Sequence, residues 1–159
     1  MRRVKKVIIG IISLIIAPIL VIMLLLYQPS AVKMTTVTFL TQNGEVTVNT
    51  EVADTFVKHQ VGLMNRTNMD YNSGMLFIFQ GESPRSFWMK NTLIPLDMIF
   101  VDSNLRVVSI IKNAQPCGTI ACETYPSGAS AMYVVEVNGG FADEESIRIG
   151  DKMTINTPG

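Results

Sequence analysis

The sequence predicts an α+β domain of mainly antiparallel strands: a small curled sheet or partial barrel with one packed helix, preceded by a single N-terminal transmembrane helix. Three observations carry that prediction. Val7 to Tyr27 holds no charged side chain and follows Arg2, Arg3, Lys5 and Lys6. Most of the remainder consists of short apolar runs bounded by turn residues, the signature of strands. One stretch, Asp54 to about Met64, switches to helical spacing, with Val57, Val61 and Met64 at i, i+4 and i+7.

A helix over Val7 to Tyr27, rising ~1.5 Å per residue, spans the ~30 Å hydrocarbon core of a bilayer. The basic flank belongs in the cytoplasm, which assigns the body to the extracytoplasmic side. The competing reading is a cleaved signal peptide, whose apolar region runs ~7–15 residues and ends in a small-x-small site. Here Gln28-Pro29-Ser30-Ala31 puts Pro29 at the upstream small position, so an uncleaved anchor is favoured. Residues 1–27 form the flank and anchor, 28–33 a short linker, and 34–159 the extracytoplasmic domain.

Within the body, Val37 and Phe39, then Asn43-Gly44, then Val46 and Val48 read as a β-hairpin, because Asn-Gly suits the positive-φ positions of a tight turn. Asp54 stands where it can cap the helix that follows, and Gly62 marks its end. Met75 to Phe79, Ser86 to Asn91 and Leu96 to Val101 read as strands. Asp102-Ser103-Asn104 supplies a turn, and Leu105 to Lys112 returns as the hairpin partner. Ala131 to Val137 and Lys152 to Ile155 complete the strands, with a short helix or turn at Asp143 to Ser146 between them.

Beyond the anchor the chain carries 9 basic and 13 acidic residues, a formal charge of −4. That balance argues against nucleic acid as a partner and against a grip on anionic headgroups. His59 is the only histidine, and its helical position opposite Val57 and Val61 predicts a solvated side chain. Serine–histidine triads and histidine metal centres therefore lack their parts. The body's methionines could in principle hold Cu(I), but they fall mainly where a core needs filling. No metal and no cofactor is predicted.

Cys117 and Cys122 lie in Pro-Cys-Gly-Thr-Ile-Ala-Cys. In an exported domain with no other thiol, a local structural disulfide is the natural reading. A redox or metal dithiol is the alternative, against which stand the wider-than-C-x-x-C spacing and the want of further ligands.

The densest polar chemistry is Trp88, Lys90 and Asn91 followed by Asp97, with Arg66 and Glu136 raising the same question. Asp97 opens an apolar strand and Glu136 sits in Val134-Val135-Glu136-Val137, so both need partners if buried. One reading makes them internal clasps, with Arg66 or Lys90 neutralising Glu136. The other makes Arg66, Trp88, Lys90, Asn91, Asp97 and Glu136 a ligand pocket with Trp88 as a stacking wall.

Gly62-Leu63-Met64-Asn65-Arg66, Gly74-Met75-Leu76-Phe77-Ile78-Phe79, Phe87-Trp88-Met89-Lys90-Asn91-Thr92 and Ile94-Pro95-Leu96-Asp97-Met98-Ile99-Phe100 stand in an order that resembles an uncharacterised prokaryotic family, domain of unknown function 192. Pro116-Cys117, Cys122, Tyr125-Pro126-Ser127, Glu136-Val137-Asn138-Gly139-Gly140 and Gly150-Asp151 extend the resemblance, which covers about Val46 to Ile155. It implies a small exported or membrane-anchored domain with a β-rich α+β fold and supplies no reaction. Two functions follow from the residues. The first is a non-catalytic binding module for a small polar ligand or an envelope partner. The second is a carboxylate hydrolase, on carbohydrate for example, using Asp97 and Glu136, which requires both carboxyls in one cleft ~5–9 Å apart.

Overall fold

The computed structural model describes residues 16–23, 32–119 and 121–156. They fall in two units, Met1–Ala31 and Val32–Gly159. In the first, residues 16–23 are helical and exposed (α1). The predicted span over Val7 to Tyr27 otherwise lies outside the described residues, among which no helix is long and apolar enough to cross a membrane.

The second unit is built on one seven-stranded mixed sheet. Its strands are β1 (Met34–Thr41), β2 (Gly44–Ala53), β3 (Ser73–Trp88), β4 (Leu96–Val101), β5 (Val107–Ala114), β6 (Thr124–Asn138) and β7 (Lys152–Asn156). Their order across the sheet is β5-β4-β6-β3-β2-β1-β7. The two outermost strands approach each other: Arg106 and Lys152 form an isolated bridge, and Val107 N–H donates to Asp151 O at 2.9 Å. The sheet thus curls far enough for its edges to touch without closing into a barrel.

All pairings are antiparallel except β2 with β3, which run parallel from Asn49↔Ser73 to Ala53↔Phe77. A parallel neighbour needs a crossover connection, and the segment between them carries the helix α2 (Phe56–Val61). Gly74 makes the approach of β3 to β6 possible: a Cβ there would lie 2.3 Å from the Glu136 carbonyl oxygen. Met75 to Phe79 and the first half of the run expected from Ser86 to Asn91 form one strand, β3, which ends at Trp88 and whose register against β6 shifts between Ile78 and Ser83 and again between Pro84 and Ser86. The shifts bend the strand without ending it, which a period-two reading cannot show.

Each face of the sheet has its own core. Val37, Phe39, Leu76, Ile99, Val135 and Val137 meet inside the curl, sealed by Phe141 of the short helix α3 (Phe141–Glu144). Leu63, Phe77, Met89, Met98, Phe100 and Val134 pack on the other face, beneath α2 and the loops.

α2 corrects two expectations. Its N-cap is Thr55, whose hydroxyl accepts from Lys58 N–H at 3.3 Å; Asp54 instead pairs with Lys33 and Lys58. The helix also lies the other way round from its hydrophobic spacing. Val57 is 68% exposed and Val61 50%, whereas His59 turns inward. His59 Nε2 stands 3.0 Å from Ala53 O and 3.1 Å from Ile78 O, and its ring lies 4.4 Å from that of Phe79. Two carbonyl acceptors require the proton on Nε2, so the histidine serves as a two-pronged clamp of helix to sheet.

Candidate functional site

The residues singled out in the sequence separate in space. Arg66, in the loop after α2, pairs with Glu51 of β2 and has no part in neutralising Glu136. Asn91 takes a positive φ of 55°, and its backbone ties the loop: its N–H donates to Cys117 O and its carbonyl accepts from Asn65 N–H, both at 2.8 Å. Asp97 is fully buried with three backbone donors. Its Oδ1 accepts from Asn113 N–H at 2.7 Å and Gly140 N–H at 3.0 Å, and its Oδ2 from Ala142 N–H at 2.8 Å. Asp97 therefore holds β5 and the turn into α3 against β4, which is the clasp its apolar strand demanded.

Trp88, Lys90 and Glu136 do come together. Glu136 stands on β6 between Met75 of β3 and Met98 of β4, on the face away from the curl. Glu136 is 4% exposed, no hydrogen bond or ion pair joins its carboxyl to a described residue, and the carboxyl oxygens keep a narrow contact with solvent instead of being sealed in. Burial pushes that carboxyl up to about 8 from its ordinary 4.5. In front of it is a constriction of about 20 Å³, lined by Gly62, Leu63, Lys90 and Thr92 and wide enough for one water-sized group. Gly62 is the roof: a Cβ on it would reach 3.3 Å from the Phe77 ring and 3.9 Å from Glu136 Oε2.

The constriction adjoins a wider cleft of about 470 Å³, walled by Phe77, Phe79, Phe87 and Trp88. The aromatic walls brace one another edge to face, with Phe87 5.1 Å from Phe77 and 5.8 Å from Phe100 between ring centroids. Trp88 is 40% exposed and carries the Lys90 ammonium 5.2 Å from its ring. Arg85 lies 4.0 Å over Phe79 and donates from Nε to Ala131 O at 3.0 Å. Desolvation lowers the Arg85 guanidinium from its usual range. The sequence points to Trp88 as a wall; Phe77, Phe79, Arg85 and Phe87 escape that reading although all four stand at alternate positions of β3, the period-two signal that could have found them.

Cys117 and Cys122 form the predicted disulfide. Its loop borders the site, since Lys90 bridges to Cys117 and Cys117 N–H donates to Met89 O at 3.2 Å.

The DUF192 family, described as an uncharacterised ACR, matches residues 38–155. The chain belongs to that family. A UPF0127 protein from Thermococcus sibiricus is 33% identical over 105 residues, which are 65% of this chain and 63% of that relative. The match thus spans less than two thirds of the relative's length. Two crystal structures have a similar fold. A candidate transcription regulator from Sinorhizobium meliloti aligns with a TM-score of 0.73 at 31% identity, over 80% of this chain and 97% of its own. A protein of unknown function from Novosphingobium aromaticivorans aligns with a TM-score of 0.73 at 34% identity, over 80% and 89%.

Proposed function

We propose that this DUF192 domain is a non-catalytic binding module that takes a small polar ligand in the cleft ending at Glu136. One observation carries the reading: a buried carboxyl without a protein partner stands behind a one-group constriction, at the end of an aromatic-walled cleft. The carboxyl meets solvent only through the constriction, so a ligand entering from the cleft can replace water as its hydrogen-bond partner. Near neutral pH the carboxyl is mostly protonated, so it can both donate to and accept from a hydroxyl. Trp88 offers the exposed flat face on which a sugar ring stacks. The apolar run Val7 to Tyr27 with its basic flank supports tethering to the cell membrane, with the cleft on the extracytoplasmic side.

The hydrolase reading needs Asp97 as the second carboxylate. Both Asp97 oxygens are occupied by backbone donors, which leaves Glu136 alone in the cleft.

A thermal-shift screen of the full chain, in a detergent without a sugar headgroup, tests the proposal against sugars, amino acids and nucleotides. A ligand at a hundred times its Kd adds ~2.7 kcal/mol, a shift of several degrees. The shift is expected in the wild type and lost in Trp88→Ala and in Glu136→Met, which replaces the carboxyl by an apolar side chain of similar length. Shifts that persist unchanged in both variants would contradict the assignment.

A further inference from the structure

Two cations border the cleft in a body whose formal charge is −4. The ion pairs among the described residues are Lys33–Asp54, Lys58–Asp54, Arg66–Glu51 and Lys112–Asp143, and neither Arg85 nor Lys90 is in them. Each cation instead lies over an aromatic ring of the wall, Arg85 over Phe79 at 4.0 Å and Lys90 over Trp88 at 5.2 Å. The guanidinium spends donors on the carbonyls of Ala131 and Gly81. No acceptor among the described residues engages the Lys90 ammonium, which lines the constriction together with Glu136. The cleft therefore presents a free ammonium above its stacking platform and a single carboxyl at its end.

Resting on the proposed binding function, we propose that the ligand is an anionic sugar: a ring polyol stacked on Trp88, its acidic substituent paired with Lys90 and one hydroxyl reaching Glu136. The shape of the site favours this division of labour. The constriction admits one hydroxyl-sized group, which suits Glu136, whereas a bulkier acid group stays outside it by Trp88, which lines both spaces and carries the Lys90 ammonium 5.2 Å from its ring. A cationic ligand would meet Lys90 and Arg85 before it reached the carboxyl. A neutral sugar would use the platform and the carboxyl but leave the ammonium without a partner. The titratable groups lining the constriction with Glu136 are His59 on α2, held by its two carbonyl acceptors, and Lys90 after β3. Ionisation of Glu136 removes its hydrogen-bond donor and adds a negative charge near the ligand's acid, so binding weakens as pH rises through about 8.

The probes are glucuronate and glucose 6-phosphate, which carry the acid as carboxylate or phosphate, with glucose and glucosamine as the neutral and cationic counterparts. Binding to the full chain is measured by isothermal titration in a detergent without a sugar headgroup. At least one acidic probe is expected to bind ~10-fold tighter than glucose, the effect of one partly solvated ion pair. Lys90→Gln is expected to abolish that preference and Lys90→Arg to restore most of it. Lys90 lies outside both hydrophobic cores, so these variants retain the fold. The carboxylate and phosphate arms then show which acid the rim prefers. Three results would overturn the inference: glucose or glucosamine binding as tightly as the acids, a preference for acids that survives Lys90→Gln, or no binding by either acid. If glucose binds and the acids gain nothing, the inference fails while the binding cleft stands. If no probe binds and the wider screen is also silent, both fail.

Discussion

Asp97 and Glu136 occupy adjoining strands but opposite faces of the sheet: Asp97 stands across from Val137, and Glu136 across from Met98. Val137 belongs to the core inside the curl and Met98 to the core on the other face. Successive side chains of a strand alternate between faces, so the sheet itself separates the two carboxyls. Two acids that look like a catalytic pair in the sequence do unrelated work, one as a backbone clasp and the other at the end of a cleft.

Asp97→Asn tests the clasp. An amide offers one acceptor oxygen where three backbone N–H groups converge, and its own NH₂ is directed at donors. A buried unsatisfied donor costs ~1–3 kcal/mol, more where the lost acceptor is charged, so the variant is expected to lose about 3 kcal/mol in urea unfolding. Binding in the cleft should survive in the fraction that stays folded. Unchanged stability would mean the three contacts contribute little.

The contrast between these residues also marks what the sequence could convey. The buried, hydrogen-bonded state of Asp97 followed from its place at the head of an apolar strand, and Glu136 was legible as inward or cleft-facing from its alternation with Val134. The Asn43-Gly44 hairpin, the end of α2 at Gly62, β4 at Leu96 to Val101 and the local disulfide were equally local matters. What escaped was set by long-range contacts. The orientation of α2 is decided by the carbonyls of Ala53 and Ile78 holding His59, and apolar spacing on a six-residue helix cannot outweigh them. The parallel pairing of β2 with β3 and the meeting of Gly62 and Phe77 with Glu136 of β6 depend on topology, whereas the alternation of Phe77, Phe79 and Phe87 along β3 stands in the sequence.

Glu136 gives a pH signature. Between its ordinary 4.5 and about 8, the folded chain retains a proton that the unfolded chain has released. Stability therefore falls as pH rises from about 4.5 and levels off above about 8. Glu136→Gln has no proton to retain, so this part of the pH dependence should vanish. The variant should exceed the wild type by on the order of a few kcal/mol at pH 8. Parallel wild-type and variant profiles in denaturant titrations across this range would contradict the assignment.

Gly62 roofs the carboxyl in a backbone conformation that side chains rarely adopt, with φ at 47°. Gly62→Ala is expected to cost ~1–3 kcal/mol through backbone strain, and its methyl presses on the Phe77 ring at the constriction. Binding should weaken beyond what the loss of folded protein explains, a distinction made by measuring affinity well below the melting temperature. Gly74→Ala serves as the comparison: its Cβ meets the Glu136 carbonyl rather than the cleft, so it should impair folding more severely.

The disulfide closes a short loop, and removing it should cost only ~2 kcal/mol by the loop-closure estimate. Because Cys117 bridges to Lys90, a Cys117→Ser/Cys122→Ser variant should remain folded while losing part of any preference for acidic ligands. Calorimetry with paired affinity measurements separates the two effects. Global unfolding on reduction would show the bridge to be a support of the core.

The central claim, that the cleft in front of Glu136 holds the ligand, is open to a direct optical test. Trp88 is the chain's only tryptophan and forms the exposed wall of that cleft. Its fluorescence should change saturably as any ligand that raises the melting temperature is titrated in. The midpoint should match the calorimetric affinity, and the change should disappear in Glu136→Met. A ligand that stabilises the chain and leaves Trp88 emission unaltered would place binding elsewhere and contradict the account.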